Sequence, residues 1–126
     1  MTTTTTAKKK TLTIIMSETV PVKIDPDQWA VIASVETWNG EHKCQANHLR
    51  TIKVREHTDG RRLVYGVLES GNGGVPIGWR GASAGFLFDA DAESTDIIRA
   101  IRRVAGVIGD DRLGDECIAE LPAVEL

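Results

Sequence analysis

Asp59-Gly60 stands between two runs, Cys44 to Glu56 and Arg61 to Glu69, that are rich in Val, Ile, Leu and Thr. A turn dipeptide between strand formers is the strongest local constraint in this chain. Asp-Gly suits a two-residue type I′ loop, in which both central residues adopt positive φ. The sequence therefore predicts an antiparallel hairpin from Ile52 to Leu68, with Ile52 opposite Val67, Val54 opposite Tyr65 and Glu56 opposite Leu63. In that register these side chains share one face, largely apolar, that meets the core. The opposite face carries Thr51, Lys53, Arg55 and His57 with Arg62, Val64, Gly66 and Leu68, basic near the turn and apolar away from it. Val64 and Leu68 then need cover, from a helix or from a partner, and a homodimer is the expectation.

Around the hairpin, Leu12, Ile14 and Met16, then Val20, Val22 and Ile24, recur at the two-residue period of a bent strand or a short strand pair. Asp25 suits a helix N-cap and Pro26 the first helical position, so a helix is predicted from there to about Ser34 or Val35, with Trp29, Ile32 and Ala33 on one side. Six glycines lie between Ser70 and Gly85, a composition that predicts a flexible loop. Phe86-Leu87-Phe88 reads as a brief strand. Ser94 caps a helix over Thr95 to Ile108 with Gly109 as its stop, and a final helix runs from Asp115 to Leu121. The expected fold class is α+β: an antiparallel sheet of about four strands with a central hairpin, covered by two or three helices. It occupies residues 12–126 as one domain, behind a disordered Thr/Lys-rich arm over residues 1–11.

Composition agrees with a single core in 126 residues, 41% of them apolar and 26% charged. At 5% aromatic content that core must be mainly aliphatic. No apolar run approaches the roughly 20 residues of a spanning helix, and the N-terminal stretch is too polar for a secretory segment, so the expected location is the cytoplasm. Cys44 and Cys117 are then free thiols rather than a disulfide. Residues 1–85 hold eleven Lys/Arg against eight Asp/Glu, and residues 86–126 hold four against ten. This asymmetry suits an anionic partner on one side or self-association of unlike faces.

His42, Cys44 and His48 have metal-ligand side chains, but their spacing follows no zinc signature, and ordinary strand residues are the expectation. Cys44 beside a histidine has the elements of a thiol nucleophile without a third, orienting group. Gly71-Asn72-Gly73-Gly74 lacks the spacing of a phosphate-binding loop. Acidic pairs such as Asp25/Asp27 and Asp110/Asp111 stand where turns and helix starts need capping oxygens. No catalytic residue, metal or cofactor is assigned. Trp79 and Arg80 beside the glycine-rich stretch are the candidate protein-binding residues, because both types are enriched at binding hot spots. Lys8, Lys9, Lys10, Lys53, Arg55 and Arg62 are the candidate phosphate contacts of an alternative nucleic-acid-binding reading, although a pI of 5.6 lies below the usual range for such domains.

Pro21 to Trp29, Val54 to Arg61 and Glu116 to Pro122 resemble stretches of short uncharacterised proteins carried by proteobacterial plasmids, phages and integrative elements. The resemblance implies a context, that of accessory binders of nucleic acid or inhibitors of host defence, and assigns no functional residue. The expectation is therefore a non-enzymatic protein-binding accessory module, a homodimer with a protein partner, and nucleic acid as the alternative ligand.

Overall fold

The computed structural model describes residues 11–14, 21–38, 48–70 and 79–122. Two short strands, β1 (Leu12–Ile14) and β2 (Val22–Ile24), pair antiparallel. They are followed by β3 (Trp29–Trp38), β4 (His48–His57), β5 (Arg62–Ser70) and β6 (Trp79–Phe88), which form one antiparallel sheet in chain order. Helices α1 (Ser94–Ile108) and α2 (Asp111–Glu120) close the chain. The architecture is α+β, as expected.

Where a helix was predicted from Asp25, the chain makes a single turn and then a strand. The Asp25 carbonyl accepts from the Gln28 N–H at 2.9 Å, and its carboxylate accepts from the Asp27 N–H at 3.0 Å. Asp before Pro begins a turn by the same bonds that begin a helix. The run that follows, with Val31, Ile32, Val35 and Thr37, is made of strand formers and pairs with β4. A bulge between Val31 and Ala33 adds one residue to β3. Ile32 and Ala33 pack on the helix side of the sheet while Trp29 stays on the other, so the three residues expected on one helical side lie on opposite sheet faces.

The central hairpin forms, but its register is one residue away from the type I′ expectation. Glu56 pairs with Arg62, Val54 with Val64 and Ile52 with Gly66. The His57 N–H donates to the Arg61 carbonyl at 2.8 Å, and the Gly60 N–H donates to the His57 carbonyl at 2.9 Å, which leaves a three-residue loop, Thr58-Asp59-Gly60. Only Gly60 takes positive φ, +97°. Asp59 avoids the left-handed region and instead accepts the Arg61 N–H on its carboxylate at 3.0 Å. A one-residue shift reverses every side chain of one strand. Val64, Gly66 and Leu68 therefore join Ile52 and Val54, while Leu63, Tyr65 and Val67 join Thr51, Lys53 and Arg55 on the other face.

The first of these faces carries the helices. Ile52, Val54, Val64, Ala84, Ile97, Ile101, Val104, Ile108, Leu113 and Cys117 form the main core. Gly66 has a packing reason, since a Cβ there would lie 2.3 Å from Val104 Cγ1. Val64 is fully buried and Leu68 packs against the same core, so the exposed pair that argued for a dimer is covered by the chain itself. Arg50 and Arg62, also on this face, are tied to the helical layer: Arg50 Nε donates to the Ile108 carbonyl at 2.7 Å and Arg62 Nη2 donates to the Ala92 carbonyl.

Helix α1 starts one residue before Thr95, on a capping box between Glu93 and Asp96, and ends at Gly109 with φ +79°. Helix α2 starts four residues before the predicted Asp115, because the Asp110 carboxylate caps the Leu113 N–H at 3.1 Å. Gly114 obscured that start by its low helix propensity. It serves close helix contact, as a Cβ at 114 would lie 2.7 Å from Ala105 Cβ. The predicted loop from Ser70 to Gly85 ends early, at β6. Residues 71–78 lie outside the described residues.

Candidate functional site

Among the described residues, the second sheet face is only partly covered. The β1–β2 pair packs on its turn-proximal end, where Ile14, Ile24, Trp29, Leu63 and Tyr65 make a second small core. Arg55 is buried beneath this cover. Its Nε donates to Tyr65 Oη at 2.9 Å and its Nη1 donates to the Trp29 carbonyl at 3.0 Å. A guanidinium with a planar array of donors can satisfy two separate acceptors in this way, and the bonds fix the Tyr65 ring.

Beyond Tyr65 the cover stops, and a cleft of about 220 Å³ opens between β1 and the sheet. Leu12, Ile14 and Val67 give it an apolar lining, with Thr13 and Thr51 beside them. Glu36, Lys53 and Glu69 bring charge to it from three adjacent strands. Register explains the gathering: Thr51 is the Cα partner of both Glu36 and Val67, and Lys53 is the partner of Tyr65. Among the described residues, none of the three charged side chains has a hydrogen bond or ion pair. Charged groups held beside apolar surface without internal partners are available to a ligand.

The expected protein-binding residues lie near this cleft along the backbone. Arg80 is the Cα partner of Glu69, and Trp79 that of Ser70. Trp38, 57% exposed, follows Glu36 on the same strand face. The expected phosphate contacts are not gathered on one surface. Lys53 borders the cleft, Arg55 is buried beneath β1–β2, and Arg62 belongs to the helix face. Lys8, Lys9 and Lys10 lie outside the described residues, as do His42 and Cys44.

At the opposite end of the face, His57, Asp59, Arg61 and Trp29 form a local network. Arg61 Nε donates to Asp59 Oδ2 at 2.9 Å, and the Arg61 guanidinium lies 5.2 Å from the Trp29 ring centroid. The bond from the Arg61 backbone N–H, with help from its side chain, holds the Asp59 carboxyl below the usual range. This cluster closes the turn. Cys117 faces the core, and burial, reinforced by Glu120, pushes its thiol up to about 11, so it is protonated and poorly nucleophilic at neutral pH. Among the described residues no group of three or more His, Cys, Asp or Glu is placed to hold a metal ion, and no helix is long and apolar enough to cross a membrane.

Glu36, Thr51 and Glu69 were missed as site residues because the site exists only once β3 is a strand and the hairpin has its true register. The available signal was the polar residue at every second position, Ser34-Glu36 and Thr51-Lys53, on strands whose other face is apolar. Comparison with protein-family models, with curated proteins and with solved structures returns no match to this chain.

Proposed function

We propose that this chain is a non-enzymatic protein-binding module whose open sheet face receives a short segment of a partner protein in the cleft between β1 and the sheet. The observation that carries the reading is the set of three charged side chains, Glu36, Lys53 and Glu69, without partners among the described residues and set around an apolar lining. A peptide segment has the matching chemistry. Its carboxylate meets Lys53, its Lys or Arg meets Glu36 or Glu69, and an aliphatic side chain meets Leu12, Ile14 and Val67.

The cleft alone holds the volume of about seven waters at roughly 30 Å³ each. One or two side chains fill it. The rest of a standard interface, about 800 Å² per partner, is supplied by the surrounding face, with exposed Trp38 and the backbone end marked by Trp79 and Arg80 at its margin. The mobile-element resemblance implies either nucleic-acid binding or inhibition of host defence; the partly apolar cleft suits the second, so the proposal takes a protein of host defence as the partner.

A photo-crosslinking amino acid at Glu36, compared with one at Arg112 on the exposed side of α2, tests the reading in lysate of the source cells. A crosslinked protein specific to position 36, and lost in Lys53→Glu, is the expected result. Equal crosslinking at both positions, or capture unaffected by Lys53→Glu, overturns it.

A further inference from the structure

Strand β6 closes the sheet on one side, and its outer edge has no partner among the described residues. Natural edges are blunted by charge, proline or bulges. Over its 10 residues β6 contains no proline and a single charge, Arg80. Its bulge lies at the Arg80 end, opposite Leu68/Glu69. The other end, Ala84 to Phe88, is regular and apolar. Leu87 is 50% exposed on the open face. Phe86 and Phe88, on the helix face, floor a groove of about 200 Å³ whose wall is α1, with Asp96, Arg99 and Arg103 along it.

The charges on that wall are ordered. The chain leaves β6 at Phe88 and returns as α1 from Ser94, so Asp96 lies toward the Phe88 end. Arg103 lies toward the other end, its guanidinium 5.9 Å from the Phe86 ring centroid. Arg99 and Arg103 make no ion pair among the described residues. A strand edge bordered by the Asp96 carboxylate at one end and the Arg103 guanidinium at the other, with Arg99 between them, has end charges that are complementary under a two-fold rotation.

We infer that the β6 edge binds a second copy of this chain, the two β6 strands pairing antiparallel about a two-fold axis at Leu87. Leu87 then lies against Leu87 of the second copy, which covers its exposed side chain. Phe86 lies opposite Phe88 of the second copy, so Arg103 of each copy faces Asp96 of the other. The pairing continues the sheet from four strands to eight and leaves the cleft at β1 open, so the dimer does not depend on the proposed function.

Sedimentation equilibrium and light scattering on the full chain test it. The wild-type chain is expected to be a dimer at micromolar concentration. Leu87→Arg places two like charges on the axis and is expected to raise the dissociation constant at least about tenfold. Arg103→Asp weakens the dimer, and the reciprocal pair Arg103→Asp with Asp96→Lys restores it. In a Cys44→Ser background, Leu87→Cys is expected to crosslink under mild oxidation, because directly opposed antiparallel residues have Cα atoms about 4.5–5.5 Å apart, within disulfide reach. A wild-type chain that stays monomeric to about 100 μM, a concentration at which even a weak micromolar dimer would form, overturns the inference. So does a dimer that survives Leu87→Arg or fails to crosslink through Leu87→Cys, since its interface lies elsewhere. Circular dichroism confirms that each variant is folded, and Lys53→Glu is expected to remain dimeric.

Discussion

Gly66→Ala is a direct test of how the sheet and α1 meet. The added Cβ would lie 2.3 Å from Val104 Cγ1, 3.1 Å from the Thr51 carbonyl oxygen and 3.6 Å from Ile52 Cγ1. Carbon atoms rest at about 3.5–4.0 Å, so one of these neighbours must move by more than an ångström. Val104 is fully buried on a helix and β-branched, which leaves it essentially one side-chain rotamer. Overpacking of this kind costs about 1–3 kcal/mol, and the entropic benefit of replacing Gly in a strand returns about 0.5–1 kcal/mol. A clash of more than an ångström against a side chain with one rotamer belongs in the upper half of that range, about 2–3 kcal/mol, so the net expectation is a loss of about 1–2.5 kcal/mol. With an unfolding entropy of about 2.1 cal/mol/K per residue, a loss at the upper end lowers Tm by about 9 °C. Val104→Ala alone should cost about 1–3 kcal/mol through its cavity. The double variant, however, places the new methyl in the vacated space, so its loss should fall at least about 1 kcal/mol short of the sum. Urea unfolding followed by circular dichroism measures all four proteins. A Gly66→Ala protein within about 0.5 kcal/mol of wild type, or a cycle additive within about 0.3–0.5 kcal/mol, refutes the packing argument.

Gly60→Ala forces a Cβ onto φ +97° and within 3.0 Å of Ala90 Cβ. It should cost about 1–2 kcal/mol in thermal or urea melts. Arg55→Ala removes the donor to both Tyr65 Oη and the Trp29 carbonyl. A loss of about 2–4 kcal/mol is expected from two buried acceptors left unpaired, and an unchanged urea midpoint would show that the two bonds are immaterial. Cys117 keeps its proton in the folded chain to about pH 11, whereas the unfolded thiol titrates near 9.0. Above pH 9 the unfolded state releases a proton that the folded state retains, so this group's contribution to stability, complete below pH 9, should be lost progressively up to about pH 11. Comparing the pH dependence of unfolding with that of Cys117→Ala isolates it. Binding to random-sequence DNA and RNA should be negligible and insensitive to salt; a steep loss of affinity with salt would restore a phosphate-tracking role for Lys53 and the N-terminal lysines.

Local signals determined much of the architecture. The stripe Ile97, Ile98, Ile101, Val104, Ala105 and Ile108 and the stop at Gly109 defined α1 to within a residue, because helical periodicity and caps act over a few positions. The existence of the hairpin was equally local. Its register was not, since the choice between a two- and a three-residue loop turned on whether Asp59 would accept positive φ, and that single residue decided which face every β5 side chain meets. The bulge in β3 had a similar effect, since it left Trp29 on one sheet face and Ile32 and Ala33 on the other. The burial of Arg55 and the cleft beyond it required β1–β2 to fold onto the sheet and bring Leu12 beside Glu36, Lys53 and Glu69. Separations of that length leave no period in a sequence. The strand and helix inventory was therefore written mostly in neighbouring residues, whereas the cleft came into being only when the tertiary structure set strand parity and laid β1–β2 against one sheet face.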